Sequence, residues 1–498
     1  MHPTSRFNKL AQILGLCAAA CVISTSALAQ GPDKLAGRTA AEQKMDSGLI
    51  DLTRAAASGK LQSGRLRELP AQVQDMARQN VVAGDTIFVV IKGAVSADLS
   101  AFIRQNGGSD ISEFPALNTI TAWIPLAAVT EIAKRGDVQT IGPKEEATTN
   151  RYIPTPEERR RRLKGLLQSG AMTNAGVVAW EGVKAHKADV AHAAGHTGVG
   201  TKVCVLSDGV DSLAARKASG DLPAGVTVLP GQAGSGDEGT AMLEIVHDMA
   251  PGASLAFASA FASAAQFATN ILNLRNSLAC DIIVDDVSYF NEGAFQDGPI
   301  AQAVNTVTAS GALYLSSAAN SGNLTHGTSG TYEGDFVASA ASLPAAIAAV
   351  AGAGAQAHDF GGLPYTTLIA VGTAGTAGTR RVSLKWSDPL GGSGNDYDLY
   401  ITNSTGSTIL SSSTSTQSGT QDPYEFAARG SNYPANSRIY IVKDSGVVRA
   451  LRLDTHRGQI SNGTTGSTYG HNAAGSAVSV AAVDVATAGG GAFVGGAT

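Results

Sequence analysis

Residues 201–209 read TKVCVLSDG, an unbroken apolar run from Val203 to Leu206 that stops at Ser207, Asp208 and Gly209. A strand with no polar alternation is one buried on both faces, as in a parallel sheet. The segments that follow keep the same style. EGTAMLEIVHDMA (238–250) is helical, with Ala241, Ile245 and Met249 along one stripe; ASLAFASA (253–260) is a strand and AAQFATNILNLRNSLA (264–279) a helix. CDIIVDDVSYF (280–290) is a strand, IAQAVNTVTASG (300–311) a helix and ALYLSSAANSG (312–322) a strand. Strands alternating with helices predict an α/β fold with a doubly wound parallel sheet, whose sites gather at the carboxyl ends of strands. Asp208, Ser288 and Asn320 all lie at such ends.

Working outward, residues 85–143 predict a small ferredoxin-like βαβα module. TIFVVIKG (86–93) is a strand, SADLSAFIRQNGG (96–108) a helix with Ser96 as N-cap and a stop at Gly107. LNTITAWIPL (117–126) alternates, and AAVTEIAKRGDVQTIGP (127–143) opens as an amphipathic helix that ends at Gly136. Residues 30–84 read as a polar leader to this module. The linker 144–184 carries Arg159, Arg160, Arg161 and Arg162, either a solvated helix face or a processing site. On the other side, 333–465 breaks the α/β pattern. RRVSLKWSDP (380–389), DYDLYITN (396–403) and SRIYIVKDS (437–445), separated by Ser, Thr and Gly turns, predict an all-β sandwich. Residues 466–498 resume the α/β style after it, so the core is 185–332 plus 466–498.

The start of the chain predicts its compartment. Arg6 and Lys9, an apolar stretch from Leu10 to Ile23 and Ala27-Leu28-Ala29 make a secretory signal peptide over 1–29 with a small-residue cleavage site. The rest has no stretch of membrane-spanning length. Across 498 residues, 36 Lys and Arg against 41 Asp and Glu leave a net charge of −5, which excludes a basic nucleic-acid footprint. A hydrophobic share of 43% with only 15% charged residues excludes disorder for most of the chain. Cys17 and Cys21 leave with the signal peptide. Cys204 and Cys280, both in apolar runs, read as buried free thiols rather than a disulfide, since nothing else resembles a disulfide scaffold.

VCVLSDGVDS (203–212), EGTAMLEIVHDMAPGASLAFA (238–258), DIIVDDVSYF (281–290), LSSAANSGN (315–323) and YGHNAAGSAVSVAAVDV (469–485) follow one another in the order of the core segments of subtilisin-like serine proteases, and the chain resembles that family. The resemblance implies a subtilisin-like fold, with the module at 85–143 as an inhibitory, folding-assisting propeptide. The insert resembles the prepeptidase-type jelly rolls of secreted bacterial proteases, through LKWSDP (384–389) and NDYDLYI (395–401). Acyl transfer needs a nucleophile, a base, a group that orients the base, and oxyanion donors. By resemblance Asp208 is the aspartate of the triad. Glu238, in Glu238-Gly239-Thr240 ahead of Ala250-Pro251, stands where subtilisins carry histidine and where the related sedolisins carry glutamate. Sedolisins support it with an aspartate one turn later; here that residue is Met242, which leaves the support to Asp208.

Asn320 matches the asparagine of the oxyanion hole, preceded by Ala319 where glycine is usual. Ser288 and Tyr289 match the edge that receives an extended peptide by strand addition. His247 lies too far along its helix to replace Glu238. HGTSG (326–330) spells two family motifs but falls after the oxyanion segment, where neither belongs. Asp388, Asp396 and Asp398 are either solvated turn acids or oxygens for a structural calcium; no other cofactor is expected. The family's nucleophilic serine has no match after Val485, which implies a chain truncated before it. The expected function, by family, is that of a secreted serine endopeptidase acting on protein or peptide substrates, with its own propeptide as intramolecular inhibitor; the truncated chain itself is expected to be inactive. The alternative is a non-catalytic secreted binding module that uses its β-sandwich.

Overall fold

A computed structural model describes residues 37–61, 68–78, 82–150, 182–371 and 377–482. The signal peptide, the arginine run and the Gly-rich stretch from 483 onward lie outside the described residues. Among the described residues no helix is long and apolar enough to cross a membrane.

The fold is mixed α/β around a six-stranded sheet. Its strands lie in the order Val478–Val480, Leu313–Ser317, Ile282–Asp285, Lys202–Ser207, Ser254–Ser259 and Thr227–Val228. Every neighbouring pair is parallel. The apolar run quoted first explains why helices cover both faces. Cys204 and Leu206 pack with Phe267, Ile271 and Leu274 of the helix Ala264–Leu278 and with Ile300, Val304 and Val307 of the helix Pro299–Ala309. Val203 and Val205 point the other way, to Leu243 of the helix Glu238–Met249. Strands early in the chain build outward on one side of Lys202–Ser207 and later ones on the other. The crevice between the ends of Lys202–Ser207 and Ile282–Asp285 is therefore the switch point at which such sheets hold ligands.

One expectation is overturned inside this core: Cys204 and Cys280 form a disulfide, with Cα atoms 6.0 Å apart. Apolar surroundings made both look like inert thiols. The helix Ala264–Leu278 ends on Ala279 in the left-handed region (φ 54°), a turn that brings Cys280 back onto the neighbouring strand, a contact across 76 residues that no local pattern encodes.

Residues 82–143 form an antiparallel sheet in which Val138–Pro143, Thr86–Gly93, Thr119–Pro125 and Ser109–Phe114 lie side by side, with Val82–Ala83 folded back on Thr86–Gly93. The helix Ala97–Gln105 starts as expected, with the Ser96 hydroxyl accepting the Leu99 N–H at 3.1 Å. The strand Ser109–Phe114 escaped the sequence reading because only Phe114 is buried. The stretch expected as a polar leader contains the helices Ser47–Ala57 and Ala71–Arg78. Leu49 and Leu52, spaced for one helical face, are buried with Met45, Val129, Ile132 and Ile141. Asp46 caps the first of these helices by accepting the N–H groups of Gly48 and Leu49.

Between 331 and 454 two antiparallel sheets face each other. One contains Thr331–Asp335, Ala450–Asp454, Arg381–Trp386 and Tyr424–Ala428; the other contains Gln356–Ala357, Arg438–Ser445, Asp396–Thr402 and Ile409–Ser413. Trp386, Leu384, Leu399, Ile401, Ile441 and Leu453 fill the space between them. This two-sheet unit also grips the N-terminal module: Lys92 pairs with Asp422, Arg381 with Asp75 and Glu146, and Gln72 donates to the Phe426 carbonyl.

Candidate active site

The chain leaves the sheet at Asp208 and meets the start of the helix Glu238–Met249. Asp208 Oδ1 accepts three backbone N–H groups, from Gly209 at 2.6 Å, Glu238 at 3.0 Å and Gly239 at 3.2 Å. Two glycines make this approach feasible. At Gly236 (φ 122°) a Cβ would lie 2.2 Å from Asp208 Oδ2, and at Gly239 a Cβ would lie 2.4 Å from the Phe257 ring. Asp208 thus serves the positive end of the helix, whereas it was expected to hold the Glu238 side chain.

The Glu238 carboxyl turns instead to Asp286, the residue that follows the strand Ile282–Asp285. Its pKa is pushed up to about 7, by burial first; the Thr149 hydroxyl works against the rise, while the charges of Asp286 and Asp208 add to it. Asp286 is raised as well, by burial, with the Ser317 hydroxyl opposing and the charge of Asp285 adding. The two carboxyls are hydrogen-bonded to each other, so they hold one proton between them.

Against this pair lies residue segment 147–150. Ala147–Thr149 pairs antiparallel with Val287–Tyr289, in the register Val287 with Thr149 and Tyr289 with Ala147. The Asn150 N–H donates to the Asp286 carbonyl at 3.1 Å. Asn320 Nδ2 donates to the Asn150 carbonyl oxygen at 2.5 Å. Asn150 Nδ2 lies 3.0 Å from both Ser288 Oγ and Ser317 Oγ. From the two-sheet unit, Arg457 Nη2 donates to the Thr149 carbonyl at 2.6 Å and to Asn150 Oδ1 at 3.2 Å. His456 and Arg457 hold left-handed backbones (φ 47° and 78°), and Thr455 anchors the turn by donating to the Gly330 carbonyl.

Glu238, Asn320 and Ser288 thus meet on one tetrapeptide segment, with Asp208 one step behind. Tyr289 lends its backbone to the pairing, while its ring is buried and its hydroxyl donates to the Ala260 carbonyl at 2.6 Å. The sequence reading missed Asp286, Ser317, Asn150 and Arg457. The doubled acid Asp285-Asp286 at a strand end was a usable signal for the first; nothing local marks Arg457.

Asp285 faces away from the pair. His471, fully buried, lies with Nδ1 2.5 Å from Glu292 Oε1 and Nε2 3.3 Å from Asp285 Oδ1. Burial alone would lower its pKa, but Glu292 and Asp285 raise it to about 10, so it is an imidazolium between two acids.

The other sequence candidates stand elsewhere. His326 is exposed and bonded to Asn323 (3.1 Å), and Ser329 is buried with its hydroxyl donating to the Thr464 carbonyl at 2.8 Å. His247 lies in the third turn of its helix. Asp388, Asp396 and Asp398 do not converge: Asp388 accepts from Ser393, Asn395 and Arg449, and Asp398 from the Tyr400 hydroxyl. Among the described residues no three His, Cys, Asp or Glu side chains gather as a metal site.

No family model and no curated protein matches the chain. Solved structures similar to it include the epidermin leader peptide processing serine protease EpiP of Staphylococcus aureus, at 12% identity and TM-score 0.30 over 49% of this chain and 63% of that one. A mutant of the same protein gives 11% and 0.31. Fervidolysin of Fervidobacterium pennivorans, a keratinolytic enzyme related to subtilisin, gives 14% and 0.28 over 69% of this chain and 52% of its own. The chain thus spans less than two thirds of each of these proteins. At TM-scores this low the likeness carries no weight for what this chain does, and the sheet and the site stand on their own geometry.

Proposed function

We propose that the chain is a secreted serine-type endopeptidase of the subtilisin and sedolisin kind, with its own N-terminal module laid in its cleft as an inhibitor. The observation that carries this reading is the carbonyl of Asn150. Its strand is added to the edge Val287–Tyr289, its oxygen meets a side-chain amide 2.5 Å away, and a proton-sharing carboxyl pair lies beside it. Strand addition, an oxyanion donor and a base are what acyl transfer asks of a protease cleft. The order of the module's sheet is that of a ferredoxin-like βαββαβ unit, which supports the propeptide reading. The two-sheet unit reads as an inserted sandwich. The Cys204–Cys280 disulfide suits an oxidising compartment and so supports secretion.

In this mechanism a serine hydroxyl attacks the carbonyl carbon that Asn150 presents. No serine follows Val485 in this sequence, so the step is proposed for a polypeptide that carries the family's serine segment. The Glu238–Asp286 pair takes its proton and returns it to the leaving amine, while Asn320 donates to the oxyanion. Asp208 fixes the helix end that carries Glu238. A carboxyl pair that must hold one proton, neither two nor none, gives a bell-shaped profile centred in mildly acidic pH.

The test is self-processing by the product of the natural gene. The expected result is a new N-terminus at Arg151, formed fastest below pH 7, with an active-site serine probe labelling the protein. An absence of both processing and labelling would leave the binding-module alternative as the reading.

A further inference from the structure

The Asn150 side chain is held more completely than a generic inhibitory segment requires. A carboxamide has two N–H donors and one acceptor oxygen. Here Nδ2 reaches two hydroxyls, Ser288 and Ser317, each at 3.0 Å, and Oδ1 accepts from Arg457 at 3.2 Å. The residue is only 8% exposed. Arg457 has no acceptor, so the amide orientation is fixed: oxygen to the guanidinium, nitrogen to the serines. We infer that the cleft contains a built pocket for an asparagine side chain, closed by Arg457 from the two-sheet unit, and that its ligands are peptides with Asn where Asn150 lies. This rests on the proposed reading of 147–150 as a substrate-like strand.

Competing residues fail for separate reasons. The Ser317 hydroxyl hydrogen is committed to Asp286, so Ser317 offers a lone pair to its other neighbour. An aspartate in the pocket would set a carboxylate oxygen against that lone pair, beside the acids Asp286 and Glu238. Leucine would take from Arg457 and from both serines the polar partner that the Asn150 side chain supplies, in a buried place. Sites that hydrogen-bond a polar group reject analogues lacking it far more strongly than apolar pockets reject a missing methylene. Glutamine carries the right group one methylene too far out. Arg457 has a double role, because it also holds the Thr149 carbonyl at 2.6 Å; it therefore ties the backbone of the ligand to the identity of its last side chain.

The experiment is hydrogen–deuterium exchange on the full chain, which needs no catalysis. Asn150→Leu and Asn150→Asp should each speed exchange in 147–150 by about 10- to 100-fold, with exchange in the strand Asp396–Thr402 unchanged. Arg457→Met should speed the same amides, and the double variant should fall short of the product of the two single effects, because the changes share the Arg457–Asn150 contact. Unchanged exchange in Asn150→Leu, or fully additive effects in the double variant, would overturn the pocket. In the processing assay, cleavage at least ~10²-fold slower in Asn150→Leu is expected. Equal processing of Asn150→Leu and the natural chain overturns the pocket and leaves the protease reading intact. Loss of protection in these variants without any processing of the natural chain overturns the protease reading and keeps the pocket as a binding site.

Discussion

Asp285 and Asp286 are adjacent in sequence and opposite in fate. At the end of one strand, successive side chains point to opposite faces, so one acid goes to each side of the same sheet edge. Asp285 meets the His471 imidazolium, which Glu292 clamps from its other side. Asp286 meets Glu238, a second acid, and shares a proton with it. Charges on the Asp285 side are compensated and buried, which serves architecture. On the Asp286 side a carboxyl is held close to its neutral form beside a peptide carbonyl, which under the proposed function serves chemistry. Identical side chains one residue apart therefore carry different meaning, decided by which element packs over each face.

The sharpest way to break this contrast is to neutralise one member of the acidic pair. Glu238→Gln keeps the shape and removes the base. Processing after Asn150 should fall by about 10⁶-fold, the scale of losing the general base of a triad, while the melting temperature at pH 8 stays level or rises. A variant that keeps most of its rate would reduce Glu238 to a helix-end acid.

The matching change on the other face should act on stability. His471→Leu removes the cation between two buried acids and leaves both uncompensated, a loss of about 3–5 kcal/mol by denaturant unfolding. Should His471→Leu cost under ~1 kcal/mol, the Asp285–His471–Glu292 cluster would not be the structural half of the comparison.

The two faces also predict pH dependence of the same sign in different windows. Glu238 has a folded pKa of about 7, above its ordinary value of 4.5. Between those values the folded chain binds a proton that the unfolded chain has released, so stability falls as pH rises through this window and levels off above it. His471, raised to about 10 from 6.5, contributes stability that is fully present below pH 6.5 and is lost as pH rises through 10. Unfolding free energies measured from pH 4 to 8 should decline less steeply in Glu238→Gln than in the natural chain. Parallel curves would mean that the pair does not hold its proton.

Much of the sheet was legible because its signal is local. Val203, Val205, Ile283 and Phe257 are apolar for reasons that a nine-residue window contains; Asp208 could be placed by the end of its strand, whereas Glu238 was placed by the resemblance of its motif ahead of Ala250-Pro251. Asp286 was half legible: the doubled acid was visible, but which of the two faces the cleft depends on where His471 packs, 186 residues from Asp285. Arg457 was not legible at all. Its contact with Thr149 spans 308 residues and is made by a left-handed turn built from His456 and Arg457, neither of which advertises positive φ. Cys204 and Cys280 failed in the same way, since burial and pairing look alike in an apolar run.

The smallest expected effect tests the backbone under Asn320. Ala319 adopts φ 64°, a conformation that costs an L-residue with a Cβ about 1–2 kcal/mol. Glycine removes that cost but gives the unfolded chain more freedom to lose, which offsets roughly 0.4–1 kcal/mol of the gain. Ala319→Gly should therefore stabilise the chain by about 0.5 kcal/mol, read as a small rise in denaturant midpoint with an unchanged slope. The Asn320 amide should keep its bond to the Asn150 carbonyl, so exchange in 147–150 should match the natural chain. A destabilised Ala319→Gly variant would mean that the Ala319 methyl contributes packing on the chemical side of the sheet edge. A stabilised variant with faster exchange in 147–150 would mean that the strained turn, and not the Asn320 side chain alone, holds the carbonyl in place.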